Sequence, residues 1–218
     1  MPDLDAKLKT AFSYLQREWD GRECVEEMRD SGYSTGWKQM EWIGFYFQMK
    51  CEQLLKGFFA IPGESYRDGN VEFDGKSEGY NFDFKAHSAF DAEGKPKPNT
   101  ILNDKLSMEQ SIQAYGRHGL ILAQLRCTYD FDGSFRLWHQ GIKGEKSKYE
   151  KEGERTGRKS RVRKVTAKVE RLIVLTITKD NLLHLPILTQ GKNSDGTPRP
   201  LKYGLDTGNL SMFSPFDV

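Results

Sequence analysis

Cysteine, histidine and long apolar runs are all scarce in this chain. The three cysteines lie far apart without CxxC spacing, so neither a disulfide framework nor a zinc site is expected, and a reducing cytoplasm is favoured. No stretch approaches the ~20 apolar residues that cross a bilayer, and the first residues lack the apolar core of a signal peptide. The four histidines are widely separated, which disfavours a histidine-based metal site or catalytic triad.

Apolar and aromatic residues, in contrast, make up 37% and 12% of the chain, as is typical of a globular protein. A length of 218 residues suffices for one domain with a substantial core. The order of patterns predicts a single α/β (α+β) domain over 1–218, with a central mixed β-sheet flanked by helices. We expect a helical N-terminal part at 1–56, an α/β core at 57–178 and an irregular C-terminal part at 179–218.

The spacing of apolar residues predicts the individual elements. Steps of three and four residues predict helices at 3–30, 35–56 and 107–119. Alternating or continuous apolar runs rich in β-branched and aromatic residues predict strands at 58–61, 71–75, 80–87, 120–131 and 171–178. Ser107 is the expected N-cap of the third helix. The second helix is apolar nearly all round, which is typical of a buried helix.

The net charge of +2 conceals a strong asymmetry along the chain. Residues 143–171 contain twelve Lys and Arg against five Asp and Glu, a local charge of +7. Such a balance favours a polyanionic partner, of which nucleic acid is the commonest. The alternative is a solvated charged loop without a partner.

The sharpest motif is VEFDGKSEGYNFDFKAH, at 71–87. Asp74 ends one predicted strand, and alternation on the next strand puts Asp83 and Lys85 on one face with Phe84 on the other. The intervening turn pairs the strands and brings Asp74 towards Asp83. Unpaired buried charge is costly, so this cluster indicates a hard-cation site such as one for Mg²⁺, with Mn²⁺ able to substitute. The alternative is an ion pair on an edge strand.

The residue types suit phosphodiester hydrolysis, in which a metal ion activates water and a lysine offsets developing charge. The pattern Asp…Asp-x-Lys on adjacent strands resembles the PD-(D/E)XK nucleases, especially the type II restriction endonucleases. The resemblance covers roughly 37–178 and implies a restriction-endonuclease-like fold with its catalytic core at 57–178. It implies that Asp74 and Asp83 bind the metal and that Lys85 assists the attacking water.

The resemblance also points to a third acid. Members of this family often have an acid near the metal on a helix before the sheet, and Glu41 matches that position. Glu41 is therefore implied as a catalytic residue and metal ligand, although a structural Lys or Arg partner is the alternative. Asp68 is an alternative first acid, because Phe73 rather than Pro precedes Asp74.

Basic residues of the segment 141–168 are the expected DNA contacts, since Lys and Arg bind phosphates and Arg also reads guanine. They are Lys143, Lys146, Lys148, Arg155, Arg158, Lys159, Arg161, Arg163 and Lys164. His87 shares the face of Lys85 and is a further candidate for a phosphate contact, with a polar strand-end residue as the alternative. The stretches 88–100 and 191–204 are additional candidates for groove contacts.

Together these features predict a magnesium-dependent endonuclease of double-stranded DNA, of the sequence-specific type II restriction class. A homodimer is the economical arrangement, because two-fold symmetry matches a palindromic site. By the resemblance, the protein belongs to a restriction-modification system in a bacterial cytoplasm. Two alternatives remain: a structure-specific nuclease of DNA repair or of a mobile element, and a non-catalytic DNA-binding protein.

Overall fold

The computed structural model describes residues 2–33, 36–62, 73–144, 146, 148–157, 161–192 and 196–218. In chain order, its helices and strands are α1 (Pro2–Phe12), β1 (Glu18–Asp20), α2 (Gly21–Asp30), α3 (Trp42–Leu55), β2 (Gly75–Ser77), β3 (Tyr80–Ser88), β4 (Asn99–Asp104), α4 (Lys105–Tyr115), β5 (Arg117–Tyr129), α5 (Ser134–Lys143), α6 (Lys148–Arg155), β6 (Lys164–Thr178), α7 (Lys179–Leu182), β7 (Ile187–Leu188), β8 (Lys202–Asp206) and β9 (Phe216–Asp217).

The main sheet has six strands in the order β1-β6-β5-β3-β2, with β9 also paired to β6. Strands β3 and β5 are parallel, whereas β2–β3 and β5–β6 are antiparallel. A smaller sheet has the order β4-β8-β7. The prediction of a mixed sheet flanked by helices is therefore confirmed at the level of fold class.

The two faces of β3 belong to different layers of the domain. Phe82 and Phe84 are buried in a core shared with α1, α2 and α3. Leu120 and Leu122 of β5, the register partners of Asp83 and Lys85, belong to a second core with α4 and the smaller sheet. Alternation along β3 therefore sends its aromatic side chains to one core and its charged side chains towards α4 and β4.

The N-terminal part departs from the predicted helix at 3–30. Helix α1 ends at Phe12, and β1 then pairs with β6, with Trp19 opposite Ala167. Asp20 ends this strand and caps α2, because its Oδ1 accepts hydrogen bonds from the backbone N–H groups of Arg22 and Glu23. The prediction of one continuous helix at 3–30 is therefore wrong between α1 and α2. There the backbone of β1 forms its hydrogen bonds with β6 instead of within a helix.

Helix α3 is shorter than predicted and begins only at Trp42. Its apolar side chains, including Trp42, Phe47 and Met49, are buried in this chain's own core. They are therefore core residues of the chain itself. No helix among the described residues is both long and apolar enough to span a membrane.

The α4 helix begins at Lys105, two residues before the predicted start at Ser107. Asp104 is its N-cap, since the Asp104 Oδ1 accepts hydrogen bonds from the backbone N–H groups of Leu106 and Ser107 at 3.0 and 3.4 Å. The helix ends at Tyr115 and is capped by Gly116, whose φ of 74° lies in the left-handed region that favours glycine. This early end leaves His118 in β5 rather than in the predicted helix.

The C-terminal part at 179–218, predicted to be irregular, contains α7, β7, β8 and β9. Strand β8 pairs with β4 and β7, while β9 pairs with β6. Tyr203, Leu205 and Phe213 are buried in the second core. These strands have partners far away in sequence, so their short and Gly/Pro-interrupted patterns did not reveal them. The part at 179–218 consequently packs in the same core as Leu120 and Leu122, the register partners of Asp83 and Lys85.

Candidate active site

Asp83 lies in the middle of β3 and is only 2% exposed. Its Oδ1 accepts a hydrogen bond from Asn103 Nδ2 at 2.9 Å, and its Oδ2 lies 2.9 Å from His118 Nε2. Lys85 Nζ donates to the Oδ1 of the same Asn103 at 3.4 Å. One asparagine of β4 therefore contacts both the carboxylate and the ammonium group of the Asp-Phe-Lys triplet.

The His118 ring joins Asp83 to α4. Its Nδ1 lies 3.1 Å from Ser111 Oγ, while its Nε2 faces the Asp83 carboxylate. Ser111 and His118 are both buried, at 4% and 1% exposure. Sequence reasoning missed Asn103, Ser111 and His118 as members of the site. Only the parallel register of β3 with β5 brings His118 to Asp83.

Asp74 sits immediately before β2 and is also buried, at 7% exposure. Its Oδ2 accepts a hydrogen bond of 2.7 Å from the backbone N–H of Phe84, which belongs to the peptide group joining Asp83 to Phe84. The Asp74 carboxylate therefore lies next to the backbone of Asp83, in agreement with the predicted pairing of the two strands. Burial chiefly raises the pKa of the Cys51 thiol in α3, and the nearby Asp74 carboxylate raises it further.

The donor set suits a hard cation that retains water. A carboxylate offers about four lone-pair positions, so the bonds to Asn103 and His118 leave positions on Asp83 open to a cation. Among the described residues, however, no three or more His, Cys, Asp or Glu side chains are grouped as a complete metal cage. Magnesium fits such a partial set, because it is commonly bound by one or two carboxylates, waters and substrate phosphate.

Glu41 lies elsewhere, which departs from the implied metal site. Its carboxylate is 57% exposed and pairs with Lys164 Nζ at the start of β6. Lys164 is the register partner of Tyr129 on β5, and Asp83 is the register partner of Leu120 on the same strand. Nine residues of β5, or roughly 30 Å, therefore separate the position of Lys164 from that of Asp83. The structure thus supports the alternative, a Lys partner, but on the protein surface. Asp68, the alternative first acid, lies outside the described residues.

We expect Glu41→Gln to leave the magnesium dependence of any activity unchanged, because the side chain is remote from Asp83. Surface ion pairs contribute little, so the free energy of unfolding should fall by no more than ~1 kcal/mol. A magnesium titration of activity and a urea melt of the same variant check both expectations. A weaker apparent affinity of the variant for magnesium would contradict this expectation and indicate that Glu41 takes part in metal binding.

The basic segment contains more secondary structure and more internal ion pairs than its sequence indicated. Helix α6 runs through it, and Lys148 is its first residue. Lys146 Nζ pairs with Glu154 at 2.7 Å, and Arg155 pairs with Glu152 at 2.6 Å.

The remaining expected DNA contacts fall into three groups. Lys143 is half-buried in the last turn of α5, and Arg161 is exposed. Lys164 holds Glu41. Arg158 and Lys159 lie outside the described residues.

Arg163 is a buried structural residue, which corrects its assignment as a DNA contact. It is only 4% exposed, and its Nη1 donates to His139 Nδ1 at 2.8 Å. His139 Nε2 in turn donates to the Trp37 carbonyl at 2.7 Å, so the imidazole is the neutral tautomer with its proton on Nε2. An arginine with these contacts cannot reach DNA.

His87 is also buried, at 6% exposure, which disfavours the predicted phosphate contact. Its Nε2 donates to the Lys97 carbonyl at 2.6 Å and so holds the loop after β3. Burial lowers the pKa of His87 and outweighs the opposite effect of the hydrogen bond to the Lys97 carbonyl. A neutral and internally bonded imidazole fits the alternative of a polar residue near the strand end.

Models of known protein families, curated proteins and solved structures were all compared with this chain, and none of them matches.

Proposed function

We propose that this protein is a magnesium-dependent endonuclease of double-stranded DNA, with Asp83, Lys85 and Asp74 at its active site. The observation that carries the proposal is the arrangement around the Phe84 amide. Asp74 binds that amide, Asp83 precedes it, and Lys85 follows it on the same face as Asp83. Asp83 and Lys85 thereby share one face of β3, and the Asp74 carboxylate is held at the peptide group between Asp83 and Phe84.

The order of elements around these residues supports the resemblance to PD-(D/E)XK nucleases. Helix α3 precedes the antiparallel pair β2–β3 that holds the acids, and α4 then leads to β5, parallel to β3. Ala60 forms an additional antiparallel bridge with Lys76 at the outer side of β2. This is the succession of helix, acid-bearing hairpin, helix and strand that the resemblance implies.

The chemical roles follow from the side chains present. Bound magnesium supplies charge neutralisation at the scissile phosphate and a more acidic water. Asp83 and Asp74 are the residues that would hold it, through hard carboxylate oxygens. Lys85, held beside Asp83 by Asn103, would orient water and offset the negative charge that develops on the phosphate. Asn103 and His118 fix the orientation of the Asp83 carboxylate.

The test is cleavage of long double-stranded DNA by the purified protein with magnesium. We expect discrete fragments, retention of activity with manganese, and complete loss in EDTA, because the proposed ligands, Asp74 and Asp83, are hard oxygen donors. A smear or nicking confined to branched substrates would instead identify a nuclease of DNA repair or of a mobile element. Full cleavage in EDTA would contradict metal dependence altogether.

The basic segment provides a second prediction, on binding. We expect Arg158→Ala combined with Lys159→Ala and Arg161→Ala to weaken DNA binding and reduce the salt dependence of log K by ~0.9 per lost phosphate contact. Arg163 and Lys164 are left intact because they hold His139 and Glu41. Fluorescence anisotropy over a salt series measures both quantities. An unchanged slope would show that DNA lies elsewhere.

A second candidate function is DNA binding without catalysis. It is favoured by the burial of Asp83 and by the hydrogen bonds that both of its oxygens already form. In that case the carboxylate organises β4, α4 and β5 rather than a metal ion. DNA retention without any cutting in magnesium or manganese would decide for this candidate.

A further inference from the structure

A second lysine, Lys202, lies beside the candidate active site. Strand β8 pairs with β4, and Lys202 is directly opposite Asp104, the neighbour of Asn103. The backbone carbonyl of Leu201 accepts a hydrogen bond of 2.8 Å from the Lys105 N–H, which ties the two chain segments together at this point. Because Lys85 Nζ donates to Asn103, Lys202 and Lys85 both lie beside the Asn103–Asp104 stretch of β4, although 117 residues separate the two lysines in sequence.

The charges around Lys202 favour an anion. The charges that act on Lys202 are those of two cations, Lys85 and Arg199, and of two acids, Asp104 and Asp83. Both acids already accept hydrogen bonds, Asp83 from Asn103 and Asp104 from the first turn of α4. Burial lowers the pKa of Lys202, and the positive charge of Lys85 lowers it further. Two half-buried ammonium groups that repel each other are stabilised when an anion lies between them.

We propose that Lys202 and Lys85 together bind one phosphate group of the DNA backbone at the candidate active site. The proposal rests on the proposed function for the identity of the anion. It assigns the C-terminal part at 179–218 a direct role in substrate binding. A phosphate suits the position because it accepts charge-assisted hydrogen bonds from two ammonium groups at once. Lys202 in this role is a binding residue, whereas Lys85 contacts both the phosphate and the water.

The experiment measures binding separately from cleavage. A fluorescein-labelled 30-base-pair duplex is titrated in EDTA with the wild-type protein and with Lys202→Met, Lys202→Arg and Lys85→Met. Lys7→Met is the matched control, since Lys7 pairs with Asp3 on the surface of α1, outside both the site and the basic segment. We expect Lys202→Met to weaken binding by about tenfold and to lower the salt slope by ~0.9, with Lys202→Arg close to wild type.

The double variant Lys85→Met/Lys202→Met tests whether the two lysines share one phosphate. Shared binding predicts a coupling between the two losses, measured as a double-mutant cycle. Strictly additive losses would overturn the shared phosphate. Thermal unfolding separates binding from structure: Lys202→Met removes a repelled cation and should keep or raise the melting temperature. A clear fall in melting temperature, with restored stability in Lys202→Arg, would identify a structural lysine and overturn the proposal.

Failure of the phosphate site and failure of the nuclease activity give different results in these measurements. A wild-type protein that binds DNA but does not cut it contradicts the nuclease and leaves the effect of Lys202→Met measurable in EDTA. A protein that cuts DNA while Lys202→Met binds as tightly as Lys7→Met overturns the phosphate site alone. Absence of duplex binding by the wild-type protein overturns both.

Discussion

Asp83→Asn and Lys85→Met are each expected to lower magnesium-dependent DNA cleavage by about 10²- to 10⁴-fold while the protein stays folded. Asparagine keeps the size of the buried side chain and an oxygen acceptor, but it removes the charge that a cation needs. Methionine keeps the apolar stem of Lys85 without the ammonium group. Initial rates on a plasmid substrate, together with circular dichroism of each variant, measure the effect.

Binding measurements sharpen this prediction. Asp83→Asn should bind DNA in EDTA at least as tightly as wild type, because a carboxylate close to a phosphate repels it. The matched control is Lys76→Met on the adjacent strand β2, where the lysine contacts the Tyr115 ring instead of the site. Near-normal cleavage by either active-site variant would refute the assignment, as would an equal loss in Lys76→Met.

Arg163→Ala is expected to destabilise the protein by at least ~2 kcal/mol in free energy of unfolding, and not to act through DNA contact. The substitution leaves the buried His139 Nδ1 without the donor that it has in Arg163 Nη1. It also removes the packing of a side chain that is only 4% exposed. Urea unfolding followed by tryptophan fluorescence gives the free energy.

Arg161→Ala provides the contrast two residues earlier in the chain. Arg161 is exposed, so its loss should change the free energy of unfolding by less than ~0.5 kcal/mol while weakening DNA binding. The two arginines are therefore expected to show opposite effects on stability and affinity. Normal stability of Arg163→Ala combined with weaker DNA binding would return Arg163 to the DNA surface.

The sequence by itself determined the local features of the candidate site. Alternation in NFDFKAH placed Phe82 and Phe84 on one face of β3 and the charged residues on the other, because the side-chain period of a strand is two. The short turn after Ser77 paired β2 with β3 and so made Asp74 a neighbour of Asp83. These relations depend on contacts between residues close in sequence, where backbone geometry leaves few choices.

Only the tertiary structure decided what surrounds that motif. Asn103 and His118 reach Asp83 from β4 and β5, and the pairing of β8 with β4 puts Lys202 opposite Asp104. These registers depend on packing between segments that are distant in the chain. The same packing buried Arg163 beside His139 and directed Glu41 to Lys164. Charge and helical position alone assigned Arg163 to DNA and Glu41 to the metal. Charge and helical position do not predict whether a side chain is buried or which opposite charge lies nearest to it. Burial and ion-pair partners are set only when strands and helices from separate parts of the chain come together.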